Sequence, residues 1–478
     1  MRSSRRPFFA ACVLSIACSS TEEPAPTASL EELRDPLTCS GCHEEHYREW
    51  AGSMHAYAST DPVFLAMNAR GQRETNGALG DFCVRCHAPM AVELGATTDG
   101  LNLSELPSSL QGVGCYFCHN VESVDGAHNN PLRLAHDTTL RGALRDPAPN
   151  GVHAVAYSPF TDRDRLESAA LCGACHDVVT PAPPAPTSVH LERTFAEWQT
   201  TVFNQPPAAG GLTCGGCHMR GRDGRAAIGG PATRRVHAHD FPGVDVALTP
   251  FPDRERQRAL VQQELDATLR AEVCVLPGSI ELLLENIGAG HRFPSGASQD
   301  RRLWVELVAY RQGEVVFESG VVADDRAVEA DADTDLWLLY DRTSKLDGSE
   351  AHMFWDVATI ERHTLPGPVT LDRADPAFFE THVTRRYPSA GTIEVVPDRV
   401  TVRVRLRPIG RAVLEDLVAS GDLDPGLLQE QPTFDLVPDR GVSPFTLEWS
   451  REIFEERGFV RRVDGVLAEC VGNAAELP

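Results

Sequence analysis

The pattern Cys-x-x-Cys-His occurs five times in the first half of this 478-residue chain, and nothing else in the sequence constrains the fold as much. The copies are Cys39-Ser-Gly-Cys42-His43, Cys83-Val-Arg-Cys86-His87, Cys115-Tyr-Phe-Cys118-His119, Cys172-Gly-Ala-Cys175-His176 and Cys214-Gly-Gly-Cys217-His218. This order lets two thiols reach both vinyl groups of one porphyrin and sets the next imidazole beneath the iron, the attachment pattern of haem c. Zinc sites also use paired cysteines, but they need no His straight after every second Cys. Redox dithiols usually come once per domain, not five times. The expected cofactor is therefore haem c, five groups covalently attached, with His43, His87, His119, His176 and His218 as proximal ligands.

Haem also explains the character of the connecting chain. The motifs start 44, 32, 57 and 42 residues apart, with no sequence repeat and many Gly and Pro residues between them. Such irregular chain argues against a compact core, unless porphyrins supply the apolar faces and their covalent links pin the loops. Residues 30–250 are read as this haem domain, with helical pieces at Glu44–Tyr57, Asp61–Ala69, Arg163–Leu171 and Val189–Phe203. Twelve histidines lie outside the motifs, enough to close every iron with a second imidazole, whereas only six methionines are present. His128, His136, His153, His190, His237 and His239 are the free histidines toward the end of this domain. In His237-Ala-His239, alternate residues of an extended segment point to opposite faces, so one of the two, taken as His239, is expected to ligate. Bis-His ligation implies a lower potential than His/Met.

The first motif continues Glu44-Glu-His46-Tyr-Arg-Glu-Trp50-Ala-Gly-Ser53-Met-His55. This resembles the opening of the cytochrome c-554 family, in which a haem motif is followed by Trp-x-x-Ser-x-His. The resemblance covers the haem domain alone, and its specific part is about twenty residues long. It implies that His55 is a distal ligand to a haem other than that of His43, that Trp50 and Ser53 pack or orient, and that the haems form close pairs passing electrons along a chain. His46 lies one helical turn from His43, on the same side of that iron, so it is not its distal ligand and is read as a supporting residue.

Three arginines precede the apolar run Phe8–Ala17, which has the length of a secretory signal and is too short to span a membrane. Leu14-Ser-Ile-Ala17-Cys18 resembles a bacterial lipobox. It implies a signal peptide at 1–17, lipid on Cys18, a flexible tether at 18–29, and, with Ser19 next, an outer-membrane destination; the alternative is an ordinary signal with an incidental Cys. The expected location is the cell envelope, with contact to the membrane through the lipid anchor only. A formal net charge of −24 disfavours nucleic acid. It suits redox partner proteins of the envelope that carry the opposite charge.

Asp253 to Val273 shows amphipathic helix spacing, and a linking helix is expected over 251–273. Beyond it the pattern changes. Ser279–Asn286, Leu303–Tyr310, Val315–Ser319, Leu336–Tyr340 and Val400–Leu406 read as strands, and Ala412–Ala419 as an inserted helix. Residues 274–478 are thus expected to form a β-sandwich-like domain, and the whole chain an α+β fold: an irregular, mainly helical multihaem domain followed by an all-β one. Cys274 and Cys470 bracket the second domain, either as a disulfide or as two buried thiols. The loop Gly290-His291-Arg-Phe-Pro294 is similar to Gly-His-x-x-Pro loops of β-domains appended to exported multihaem cytochromes. That resemblance implies that His291 reaches across to ligate a haem; otherwise it is a turn.

The leading expectation is an electron carrier with no chemistry of its own and no catalytic residue. The alternatives are an oxidoreductase acting on a small nitrogen or sulfur compound at one open haem, and a β-domain that docks a redox complex. Ammonia-forming nitrite reductases use a lysine-ligated haem. Here no Cys-x-x-Cys-Lys exists, and the one lysine, Lys345, falls in the β-domain.

Overall fold

The computed structural model describes residues 27–230, 233–372, 374–436 and 447–450. Cys18 and Cys470 lie outside the described residues, as does the expected signal peptide at 1–17. Among the described residues no helix is long and apolar enough to cross a membrane.

The haem domain is a string of short helices and loops. Leu30–Arg34 opens it with a capping box, in which Ser29 accepts from the Glu32 amide and Glu32 answers on the Ser29 amide. Pro62–Glu74 is the longest helix of the domain; Pro62 stands in its first turn and Asp61 caps it through the Val63 amide. The expected helix over Glu44–Tyr57 is two, Glu44–Ala51 and Met54–Tyr57, broken at Gly52-Ser53. The one over Arg163–Leu171 is Glu167–Gly173. The one over Val189–Phe203 shrinks to Thr194–Gln199 behind a short strand, His190–Glu192. Four two-stranded ribbons, one of them parallel, tie loops between motifs together.

Helix Arg254–Leu265 leads into the second domain. The expectation of helix through 273 is corrected here, because Leu269–Leu276 is a strand that pairs with Ser279–Asn286 across a tight turn. Leu269, Ala271, Val273 and Val275 face the core on period two, and this burial overrides the helical spacing upstream. The second domain is a sandwich of two antiparallel sheets. The smaller runs His382–Tyr387, Ser279–Asn286, Leu269–Leu276. The larger runs Glu314–Ser319, Arg302–Arg311, Arg399–Arg407, Phe434–Leu436, with Trp337–Leu339 and Leu447–Ser450 on its inner strands. Ile280, Leu282 and Leu284 of one sheet bury against Leu303, Val305, Leu307, Val402, Val404 and Leu406 of the other, all fully inaccessible. The opposite face of Arg399–Arg407 is covered too: Arg403 pairs with Glu306 and Arg405 with Asp435, and Arg405 and Arg407 lie over the Trp304 ring. Cys274 sits fully buried in its strand and is disulfide-bonded.

The two domains share a core. Val63 and Ala66 of helix Pro62–Glu74, with Leu79, pack against Met353, Trp355, Leu414, Leu417 and Leu423. Gly71 makes room for Trp355, since a Cβ there would come within 2.8 Å of the indole and 2.4 Å of Leu79. Around this contact Trp355 Nε1 donates to Glu74 at 3.0 Å, Arg70 pairs with Asp416 at 3.0 Å, and Arg73 pairs bidentately with Asp422.

Candidate haem-binding site

Each motif coils into about one helical turn, so its two cysteines and following His share a face. Cys115–His119 and Cys214–His218 are complete turns, the latter capped by Thr213 through the Gly216 amide. All ten motif thiols are free, as thioether attachment requires.

The imidazoles are held as metal-ligating histidines usually are, with Nδ1–H donated to a backbone carbonyl so that Nε2 presents a lone pair. His43 donates to Ala226 O at 2.6 Å, His87 to Ala58 O at 3.1 Å, His119 to Arg141 O at 2.7 Å and His218 to Pro242 O at 2.6 Å. The same bond occurs at three histidines outside the motifs: His153 to Ala154 O at 3.0 Å, His239 to His237 O at 2.9 Å and His291 to Arg292 O at 2.6 Å. Burial holds several of these rings neutral, the form that ligates. It pushes His55 down to about 3 and His176 and His291 down to about 4, with neighbouring imidazoles adding to each shift.

Ring spacing then pairs them. Two imidazoles bonded to one metal from opposite sides, each at about 2 Å, put their centroids about 6 Å apart. His43 and His153 are 6.4 Å apart, His119 and His239 6.2 Å, and His176 and His55 6.3 Å. His291 lies within electrostatic reach of His218 and His176. Spacing alone does not suffice, because His43–His46 and His128–His190 are also 6.2 Å apart. His46 shares a helical turn with His43 and meets the edge of His239; His128 and His190 are both exposed and belong to no motif. His352, His363 and His382 stand beside carboxylates of the second domain instead.

The residues around His55 explain its placement. Ser53 caps helix Met54–Tyr57 and donates to Trp50 O at 2.7 Å, while Trp50 Nε1 donates to Val113 O at 2.8 Å, next to the third motif. Gly112, at φ +62°, lets that strand of chain press on the His55 turn, where a Cβ would meet Ala56 O at 2.7 Å. His239 is held from behind as well: its amide donates to Glu49 at 3.0 Å, and buried Glu49 pairs with Arg222 at 3.1 Å. Glu49 carried no signal in the sequence beyond its place on an amphipathic helix. At the second motif the ring against His87 is that of Phe64, 4.0 Å away and nearly parallel.

The motifs also touch one another. The Cys39 thiol lies beside that of Cys115, Cys86 beside Cys175, and Cys172 beside Cys214, with Cys118 near Cys172 and Cys175. The first motif thus adjoins the third, the third adjoins the fourth, and the fourth adjoins both the second and the fifth.

Residues 38–120 match the family model of cytochrome c554 and c-prime. The fold is similar to that of a penta-haem cytochrome c552 from Thermochromatium tepidum, with a TM-score of 0.57 and 18% identity over 88% of this chain and 99% of that one. A search of curated proteins gave no match. The matched segment contains three of the five motifs, and with the shared fold it supports a multihaem c-type cytochrome: covalently bound haem c and haem-based electron transfer.

Proposed function

We propose that the chain is a five-haem electron carrier of the bacterial cell envelope, at least four of its irons closed by paired histidines, tethered to the outer membrane through lipid on Cys18. The observation that carries this reading is the pairing of His153, His239 and His55 with motif histidines, at the spacing one metal between two imidazoles demands. Haem, when bound, supplies an iron that changes by one electron at a time. The chain does the rest. Its thioether positions sit side by side from the first motif to the third and fourth, where the path branches to the second and to the fifth, and its carbonyls aim the Nε2 of His43, His87, His119, His218, His153, His239 and His291. His291, donated by the second domain, serves the fifth motif, so the sandwich belongs to the electron path. The acidic surface, at −24 overall, favours redox partners of positive charge and disfavours nucleic acid.

The test is a partial reduction. Less than one electron equivalent per chain is delivered by a light-triggered donor, and the haem absorption bands are followed. Redistribution among spectrally distinct haems at a rate independent of protein concentration supports the carrier. A rate proportional to concentration means that electrons move between molecules, and the proposal fails.

One observation favours a second reading. The second motif is the one to which no paired histidine is assigned, because none of the ring pairs at ligating distance includes His87. An iron open there would make the protein an oxidoreductase acting on a small nitrogen or sulfur compound.

A further inference from the structure

A backbone carbonyl on Nδ1 orients most of the histidines assigned as ligands. His55 and His176, paired at the fourth motif, make no such bond among the described residues. Their ring planes need another hold. For His55 that hold is Phe241, whose ring lies 4.5 Å away, edge to face at 73°. The same phenyl stands edge-on to His239 at 5.6 Å and 82°. One side chain thus touches the second imidazoles of two haems.

The backbone beneath this ring is strained. Phe241 has φ +45°, a left-handed conformation that bulky residues rarely adopt. Such strain persists where the neighbours over-determine it, and it gathers at functional sites. Both neighbours of Phe241 are pinned. Asp240 accepts from Arg256 with both oxygens, at 3.1 Å from Nε and 2.7 Å from Nη2, and Pro242 O holds the fifth-motif His218 at 2.6 Å. Glycine would take this backbone without strain, so the ring is what the position retains.

Ring planes matter at an iron between two imidazoles. Parallel rings act on the same iron d orbital, split it from its partner and stabilise the ferric state. Crossed rings act on both orbitals alike, which raises the potential and makes the ferric resonance strongly anisotropic. His119 and His239 lie 23° apart, near parallel, whereas His176 and His55 lie 67° apart, toward crossed.

Resting on the paired-histidine reading above, we propose that Phe241 is a positioning residue which holds His55 across His176, and so raises the potential of the fourth-motif haem where the electron path branches. That iron gains one electron and later gives it up. No bond is made or broken and no proton moves.

The test uses the full-length, haem-loaded protein in low-temperature electron paramagnetic resonance and in a redox titration followed at the haem bands. Phe241→Tyr keeps the ring, Phe241→Leu keeps only apolar bulk, and Phe241→Gly removes the ring while accepting the backbone. The native protein is expected to show a strongly anisotropic low-spin signal that His55→Ala removes. Phe241→Gly and Phe241→Leu should broaden that signal or turn it rhombic, and lower the midpoint of one haem. Haem content and the number of low-spin irons should stay as they are, and Phe241→Tyr should match the native protein. A native spectrum without the anisotropic signal overturns the proposal. So do an unchanged signal and midpoint in Phe241→Leu, or equal shifts in Phe241→Leu and Phe241→Tyr. Two or more high-spin irons in the native protein sink the histidine pairing itself, and the proposal with it; an intact low-spin count with a signal indifferent to Phe241 sinks the proposal alone.

Discussion

Replacing His239 with alanine is expected to move one iron in the proposed five from low to high spin while every haem stays attached. Attachment depends on Cys115 and Cys118, which the substitution leaves alone, so the pyridine haemochrome content per chain should not change. On the paired-histidine proposal the iron should lose its second imidazole, because His239 is the ring set 6.2 Å from His119, with Nδ1 already engaged by His237 O. His237 does not step in. It lies on strand Arg234–His237 with its Nε2 buried and without a hydrogen-bond partner, beside Arg163 rather than His119. Glu49→Gln is the graded version. It weakens the carboxylate grip on the His239 amide and frees Arg222, and supporting contacts of this kind are worth about 10–100-fold in metal affinity. It should leave the iron low-spin but easier to open with added cyanide. An unchanged spin count in His239→Ala would mean that another side chain closes the third-motif iron.

The second large effect falls on stability. Trp355→Ala should cost about 3–5 kcal/mol, the usual range for deleting a buried tryptophan. The indole is 4% exposed and fills the space above Gly71, between Leu79 and helix Pro62–Glu74. Its loss also leaves Glu74 without the indole N–H it accepts at 3.0 Å. The two domains are expected to separate at lower denaturant concentration, the fifth-motif spectrum changing along with them because His291 arrives from the second domain. Met353→Leu, a volume-conserving change in the same cluster, should cost less than about 1.5 kcal/mol and serves as the control. Denaturant titration followed both by tryptophan fluorescence and by the haem bands reads the two together. Equal stability of Trp355→Ala and the native chain would show that the shared core does not hold the domains.

The proximal site was legible from the sequence because attachment chemistry is local: five residues in a row specify two thioethers and a ligand. A distal candidate is legible only where a local device accompanies it. Trp50, Ser53 and His55 sit within six residues, and the structure shows why the spacing matters, with Ser53 capping the turn and Trp50 bonding to Val113 O. His153 is 110 positions from His43 and is one of six candidates among which the sequence singles out His239; nothing near it in sequence distinguishes it from His128, which is exposed. Only the fold brings it across. The strands of the second domain could be read where alternation was unbroken, as at Val400, Val402, Val404 and Leu406. The strand Leu269–Leu276 was missed because Leu265 and Leu269 fit both a helical and an extended period, and pairing with Ser279–Asn286 decides between them. The contact between domains was not legible, since Met353 and Trp355 lie in a segment with no period and meet partners about 280 residues away.

The histidine pairing is tested most directly by low-temperature electron paramagnetic resonance of the oxidised protein, integrated per haem. The account predicts at least four low-spin irons in five, corresponding to His43 with His153, His119 with His239, His176 with His55 and His218 with His291. A fifth low-spin iron makes the protein a pure carrier. A single high-spin iron that His87→Ala perturbs makes the second motif the place to try nitrite, hydroxylamine and tetrathionate. Two or more high-spin irons in the native protein would contradict the pairing and the account built on it.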